Sequence, residues 1–207
     1  MLRGDLVRWC RSLFERGLTP GSSGNVSVRL DDGFLVTPTN ACLGFLAPDR
    51  LSRLDRDWAR LAGDRPTKEV PLHRAFYDAR PGTGAVVHLH STYATILSCL
   101  ADVDPADAIP PITPYVVMRV GRVPVLPYTR PGSAEVAPLI EACAASSAAV
   151  LLGNHGPVVA AATLEAAVFA MEELEETAKL AVLTRGMPVR RLSPAQVADL
   201  EATFARA

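Results

Sequence analysis

From Ala142 to Leu164 the chain carries no Asp, Glu, Lys or Arg. A stretch that apolar either crosses a membrane or is buried inside a folded domain. A lone spanning helix does not tolerate Ser146-Ser147 followed by the breaker cluster Gly153-Asn154-His155-Gly156-Pro157. The stretch therefore predicts two buried strands, Val150–Leu152 and Val158–Ala161, flanking a tight loop.

Around these strands, helical and extended patterns alternate. Leu2, Leu6, Trp9, Leu13 and Phe14 recur at helical spacing until Gly17 stops them. After the turn-rich segment Thr19 to Gly24, Asn25–Leu30 alternates as a strand, Asp31-Asp32-Gly33 turns it, and Phe34–Val36 returns as a hairpin. Thr67 is placed to cap a helix running to about Ala79. Ala85–Leu89 reads as a strand, and Ser91–Leu100 and Ser133–Ala145 as helices. Residues 102–132 hold seven of the 17 prolines and predict a loop with one or two short strands. Thr163 opens the longest helix, which ends at Gly186. Ser193, Pro194 and Gln196 spell the capping box of a last one. The early hairpin argues against a purely parallel sheet, so the expected fold is α/β, a mixed central sheet covered by helices. With 207 residues, no repeat and no linker, a single domain over 1–207 is expected.

Composition excludes several functions. Lys+Arg 21 against Asp+Glu 22 leaves a net charge of −1, without the basic face of a nucleic-acid binder. The four cysteines lie far apart with no Cys-x-x-Cys pair, as expected for reduced, buried thiols in a cytoplasmic protein. The charged, amphipathic N-terminal segment is unlike a signal peptide, so neither membrane nor export is expected.

Four histidines carry the chemistry: His73, His88, His90 and His155. Period-2 geometry at a strand end points His88 and His90 to one face. Such a pair reads as a metal-ligand pair or as ordinary surface or core residues. His155, framed by Gly153 and Gly156, offers the third ligand that catalytic zinc wants. Glu69 and His73 are spaced i, i+4; on the residues alone they read as an exposed pair on a helix face, or as a base with a supporting imidazole. Ser22-Ser23-Gly24-Asn25 reads as an anion-binding loop or as a plain connection. Only two of the 21 basic residues are lysines, which singles out Lys68 beside Glu69. Glu172-Glu173-Leu174-Glu175-Glu176 reads as a solvated helix face without chemistry, above a buried stripe of Val168, Met171, Leu174 and Ala178.

Taken together, Ser-Gly-Asn-Val-Ser at 23–27, Val-Thr-Pro-Thr at 36–39, Glu69, Val-Val-His-Leu-His at 86–90 and Gly-Asn-His-Gly at 153–156 resemble the class II aldolase/adducin head family. Pro-Thr-Lys-Glu at 66–69 and Thr-Pro-Tyr-Val-Val-Met-Arg-Val-Gly at 113–121 are most similar to its branch acting on 3-oxo-tetronate 4-phosphate. The resemblance implies a three-layer α/β/α fold, a homotetramer with sites near subunit interfaces, and a divalent metal, usually Zn2+, with Mn2+ or Co2+ as alternatives. It maps the ligands onto His88, His90 and His155, and the acid/base onto Glu69, which can also approach the metal. It maps phosphate binding onto Ser22, Gly24 and Asn25, with Thr39 and Thr67 nearby; Asn40 and Lys68 border the same pocket as substrate-binding candidates, Lys68 also as a catalytic one. Tyr115, as a catalytic residue, and Arg119, as a substrate-binding one, would reach a neighbouring subunit's site, or both simply pack the loop.

The chain has Asn40 where the sugar-phosphate aldolases have Gly, and Thr67-Lys68 where they have Ser-Ser before the Glu. The expectation is a substrate with an additional negative charge, a phosphorylated four-carbon keto sugar acid. The implied reaction is metal-dependent loss of CO2 through a stabilised enediolate, leaving dihydroxyacetone phosphate after protonation by Glu69. A sugar-phosphate aldolase or 4-epimerase needs the same residues. A non-catalytic adducin-like module has no use for three positioned histidines and Glu69.

Overall fold

The computed structural model describes residues 2–204. Helix α1 (Leu2–Glu15) buries Leu6, Val7, Cys10 and Leu13 along one stripe, and Gly17 ends it at a φ of 75°. The hairpin of β1 (Asn25–Leu30) and β2 (Gly33–Val36) forms where Asp31-Asp32-Gly33 predicts it. Two strands follow that the sequence pattern did not disclose, β3 (Ser52–Leu54) and β4 (Arg60–Ala62). Each has three residues, too few for a period to register, and β4 is exposed throughout.

The remaining elements are α2 (Val70–Ala79), β5 (Ala85–His88), α3 (Thr92–Cys99), α4 (Pro114–Arg119), β6 (Val125–Leu126), α5 (Val136–Ala144), β7 (Ala149–Leu152), β8 (Gly156–Ala161), α6 (Leu164–Leu183) and α7 (Pro194–Thr203). The eight strands form one sheet in the order β4-β3-β2-β1-β5-β8-β7-β6. Only β6–β7 is parallel, so the sheet is mixed, as expected, though almost wholly antiparallel.

Helices cover both faces. One core joins α1, α3, α4 and α6 to Val26, Val28, Ala85, Val87 and Leu89; the other joins α2 and α5 to Val86, Val150, Val158 and Ala160. Alternation along the strands decides which side chains face which layer. Val86 lies with α2 and α5, so His88, two residues on, shares that face; Asn25 and Ser27 are likewise opposite in parity to Val26 and Val28. Register completes the placement, since Asn25 pairs with His88 across β1–β5, and His88 with Val158 across β5–β8. Polar side chains from adjacent central strands therefore meet under α2.

Several expectations are corrected. Thr67 does not cap α2, because its amide bonds Thr37 O and Pro38 bridges Pro66, holding the chain extended; its hydroxyl instead accepts the Glu69 N–H at 3.2 Å. The proline-rich segment holds a short strand, β6, as expected, and also α4, whose Pro114 sits at the first helical turn where a missing N–H costs nothing. The acidic run is not merely solvated. Glu175 is buried and accepts the Tyr93 and Ala94 amides at 2.8 and 2.9 Å, satisfying the N-terminus of α3. Its helical spacing from Val168, Met171 and Ala178 already placed it on the buried stripe. Of the four unpaired cysteines only Cys10 is buried, and Cys99 is exposed. The caps at Thr163 and Ser193 form as predicted. No helix among the described residues is long and apolar enough to cross a membrane.

Candidate active site and metal centre

Three of the four histidines converge at the end of β5. The ligating atoms of His88, His90 and His155 all lie within 4.8 Å of one another. His88 ends the strand and His90 follows it, their rings 5.1 Å apart. His155 arrives from the tight β7–β8 turn. Gly156 makes that approach possible: at its φ of 154° a Cβ would sit 2.5 Å from Leu89 O. Only glycine lets the turn close on the backbone between the other two histidines.

The cluster is arranged as a cation site. His88 is fully buried, and its Nδ1 donates to Pro157 O at 2.9 Å, which leaves the Nε2 lone pair facing inward. His88 Nε2 and His155 Nε2 stand 3.3 Å apart, and they lie 3.4 and 3.5 Å from Glu69 Oε2 and Oε1 respectively. Donors ~2.1 Å from a shared tetrahedral ion would be ~3.4 Å apart, so these spacings match. Glu69 Oε1 is buried with no hydrogen-bond partner. A chain seldom leaves such an atom orphaned unless something else satisfies it. Neutral nitrogens, one carboxylate and an orphaned oxygen together fit a divalent cation.

Electrostatics keep the imidazoles neutral. Burial drives His88 down to about 4, outweighing the pull of Glu69, and burial likewise lowers His90 and His155. Lys68, exposed beside them, pushes both of the latter further the same way. For Glu69, burial would raise the carboxyl, but His88, the Asn25 donor, His155 and His73 together hold it below its ordinary value.

Glu69 and His73 are buried, not the exposed pair that spacing alone suggested, because β1 supplies polar partners beneath α2. Asn25 Nδ2 donates to Glu69 Oε2 at 2.8 Å, and Asn25 Oδ1 meets His73 Nε2 at 2.6 Å. The Asn25 side chain is thus occupied inside the protein. Gly24, at a φ of 78°, brings the loop against the His88 carbonyl, where a Cβ would sit 3.0 Å away. Ser22 is exposed, Thr39 is half-buried, and Thr67 is spent on the Glu69 amide. Asn40 is exposed at a φ of 55°. That left-handed backbone suits Gly or Asn, so it accounts for the exchange between them without any change of substrate charge.

Tyr115 and Arg119 lie elsewhere, lining with Phe169 and Glu172 a groove beside α6. Sequence reasoning missed Ser27 and Tyr77, which continue the hydrogen bonds behind His73, and Arg130 and Ser133, which line a cavity shared with Glu69 and His155. Ser27 and Tyr77 did have a signal: i, i+2 from Asn25 on a strand and i, i+4 from His73 on a helix.

Burial forces His73 down to about 3, so the fold refuses a proton that the unfolded chain accepts below its ordinary value of 6.5. Between these values the unfolded state binds more protons, so stability from this group is complete above pH 6.5 and lost as pH falls toward 3. The expected loss reaches ~1.4 kcal/mol per pH unit below 6.5. Urea unfolding of metal-free protein at pH 7 and pH 5 measures it, and His73→Gln should reduce the slope by this amount while the share of His88, His90 and His155 remains. An unchanged slope in that variant would show that His73 is protonated in the fold.

The chain belongs to the Class II Aldolase and Adducin N-terminal domain family, whose model matches residues 4–182. It is 50% identical over 200 residues to the 3-oxo-tetronate 4-phosphate decarboxylase of Escherichia coli K12, covering 96% of this chain and 94% of that one. The solved structure of YgbL from Escherichia coli superposes with a TM-score of 0.93 at 48% identity, over 96% of this chain and 97% of that one. The L-fuculose phosphate aldolase of Methanocaldococcus jannaschii is 33% identical over 88% of this chain and 97% of its own.

Proposed function

We propose that this protein is a carboxy-lyase that converts 3-oxo-tetronate 4-phosphate to dihydroxyacetone phosphate and CO2. The observation that carries the reading is the 50% identity to such a decarboxylase across 96% of the chain, against 33% to an aldolase. The histidine cluster and Glu69 supply the groups that the reaction needs.

His88, His90 and His155 would hold a divalent cation, with zinc the first choice for an imidazole set and Mn2+ or Co2+ as substitutes. Bound there, the cation supplies Lewis acidity toward the charge that develops on the substrate's ketone oxygen. As CO2 leaves, the C1–C2 bond breaks and its electron pair stays on C2, delocalised into the C3 carbonyl. Glu69, ionised at rest, relays one proton from solvent to C2 and ends ionised again, which balances the reaction. Lys68, on the rim, takes the phosphate; a cation held against the carboxylate would oppose loss of its charge as CO2. Ser22, Gly24, Thr39 and Asn40 complete the phosphate side. The reading includes a single-domain, cytoplasmic homotetramer in which Tyr115 and Arg119 face a neighbouring copy's site.

Product analysis tests it. Zinc-loaded protein given freshly generated 3-oxo-tetronate 4-phosphate should release CO2 and dihydroxyacetone phosphate in equal amounts above the spontaneous rate. A chelator should stop both, and added zinc restore them. Cleavage of a ketose phosphate to an aldehyde, with no CO2 from either stereoisomer of the acid, would replace the reading with an aldolase.

A further inference from the structure

The hydrogen bonds behind Glu69 admit one consistent set of directions. A carboxylate can only accept, so the Asn25 atom 2.8 Å from Glu69 Oε2 is the amide nitrogen. The other end of that amide, Oδ1, must then receive a proton from His73 Nε2, 2.6 Å away. His73 Nδ1 is left bare and accepts the Ser27 hydroxyl at 2.7 Å, and Ser27 accepts in turn from the Tyr77 hydroxyl at 3.0 Å. Asn25, Ser27, His73 and Tyr77 are all buried, so water does not compete for these bonds.

We propose that His73 is a positioning residue for proton transfer: its Nε2–H tautomer, matched on the far side by the Ser27 and Tyr77 hydroxyls, locks the Asn25 amide, pins Glu69 Oε2 and leaves Oε1 as the oxygen that carries the proton. A His73 protonated on Nδ1 would present a bare Nε2 to Asn25. The amide would turn over, and its carbonyl oxygen would then oppose the carboxylate. Both oxygens stand against the cation cluster, Oε2 3.4 Å from His88 Nε2 and Oε1 3.5 Å from His155 Nε2, but only Oε1 is held by no hydrogen bond. This rests on Glu69 being the proton carrier of the reaction proposed above.

Two measurements test it separately from that reaction. Imidazole 15N shifts of zinc-loaded wild-type protein, with His73 assigned by its absence in His73→Gln, report the tautomer without any substrate. A neutral ring protonated on Nε2 is expected; a proton on Nδ1 or an imidazolium at pH 7 overturns the proposal, whatever the protein catalyses. Kinetics then test the consequence. His73→Leu should lower kcat about 10–100-fold while KM and zinc content hold. His73→Gln, which presents an N–H to Asn25 and a carbonyl to Ser27, should recover kcat to within a few-fold, and Tyr77→Phe should lose less than His73→Leu. Full activity in His73→Leu, or losses that follow melting temperature instead of the donor pattern, would overturn positioning. Should wild-type protein cleave a ketose phosphate instead, the same variants are read on that reaction; the decarboxylase reading then fails while the positioning test stands.

Discussion

The His88→Ala variant is expected to lose its bound metal and nearly all activity while still folding. His88 is the deepest of the three clustered imidazoles, fully buried, with Nδ1 tied to Pro157 O and Nε2 turned into the cluster. Without it, His90 and His155 remain, too few for a closed set of three protein nitrogens. Lewis-acid stabilisation is worth several kcal/mol; at about 4 kcal/mol, activity falls about a thousandfold. The truncation also removes one of two hydrogen bonds to the buried Pro157 carbonyl, which keeps the Leu89 N–H at 3.3 Å, at a cost of about 1 kcal/mol in stability. Metal analysis beside a melting curve separates the two effects. A variant that keeps one zinc per chain and wild-type turnover would remove His88 from the metal centre, and the proposed mechanism with it.

The Glu69→Gln variant is expected to keep its metal and lose its turnover. The three imidazoles that define the cation cluster are untouched, and the amide oxygen can still accept from Asn25. What the amide lacks is a proton that can leave and return. General acid–base catalysis typically contributes 10²–10⁴-fold, and a loss of about that size in kcat is expected, with KM little changed. Zinc stoichiometry and steady-state kinetics on one preparation check both halves. Undiminished kcat would mean that another group, or solvent, protonates the product.

The contrast between these two residues shows what a linear reading reaches. His88, His90 and His155 were legible as candidates because local geometry singles them out, two imidazoles at period 2 on a strand and one between glycines in a turn, and the family resemblance joined them as a set. Glu69 was legible as a position but not as an environment. Its spacing from His73 suggested a solvated helix pair, and only the pairing of β1 with β5, which sets Asn25 beside His88, shows that both are buried. Asn25 was assigned to phosphate by its place in Ser-Gly-Asn, yet its side chain is consumed by Glu69 and His73. Asn40 looked like a mark of substrate charge until its φ of 55° gave a backbone reason for it.

Elements with a period or a cap were likewise readable in advance. The buried strands β7 and β8, the α1 stripe, the β1–β2 hairpin and the capping box of α7 each follow from contacts within a few residues of themselves. The missed elements depend on distant partners. β3 and β4 exist because β2 offers an edge, α2 starts late because Thr67 is bonded to Thr37, and Glu175 is buried because α3 brings it two unpaired amides. Sequence alone determined the α/β class and singled out the three imidazoles and the carboxylate that stands with them. Tertiary structure decided which oxygen of that carboxylate is pinned, by what chain of hydrogen bonds, and which side chains have none left for a substrate. The physical reason is range: propensity and period act over a few residues, whereas the partners of a buried polar group are fixed by strand register and layer packing between segments 44 to 50 residues apart.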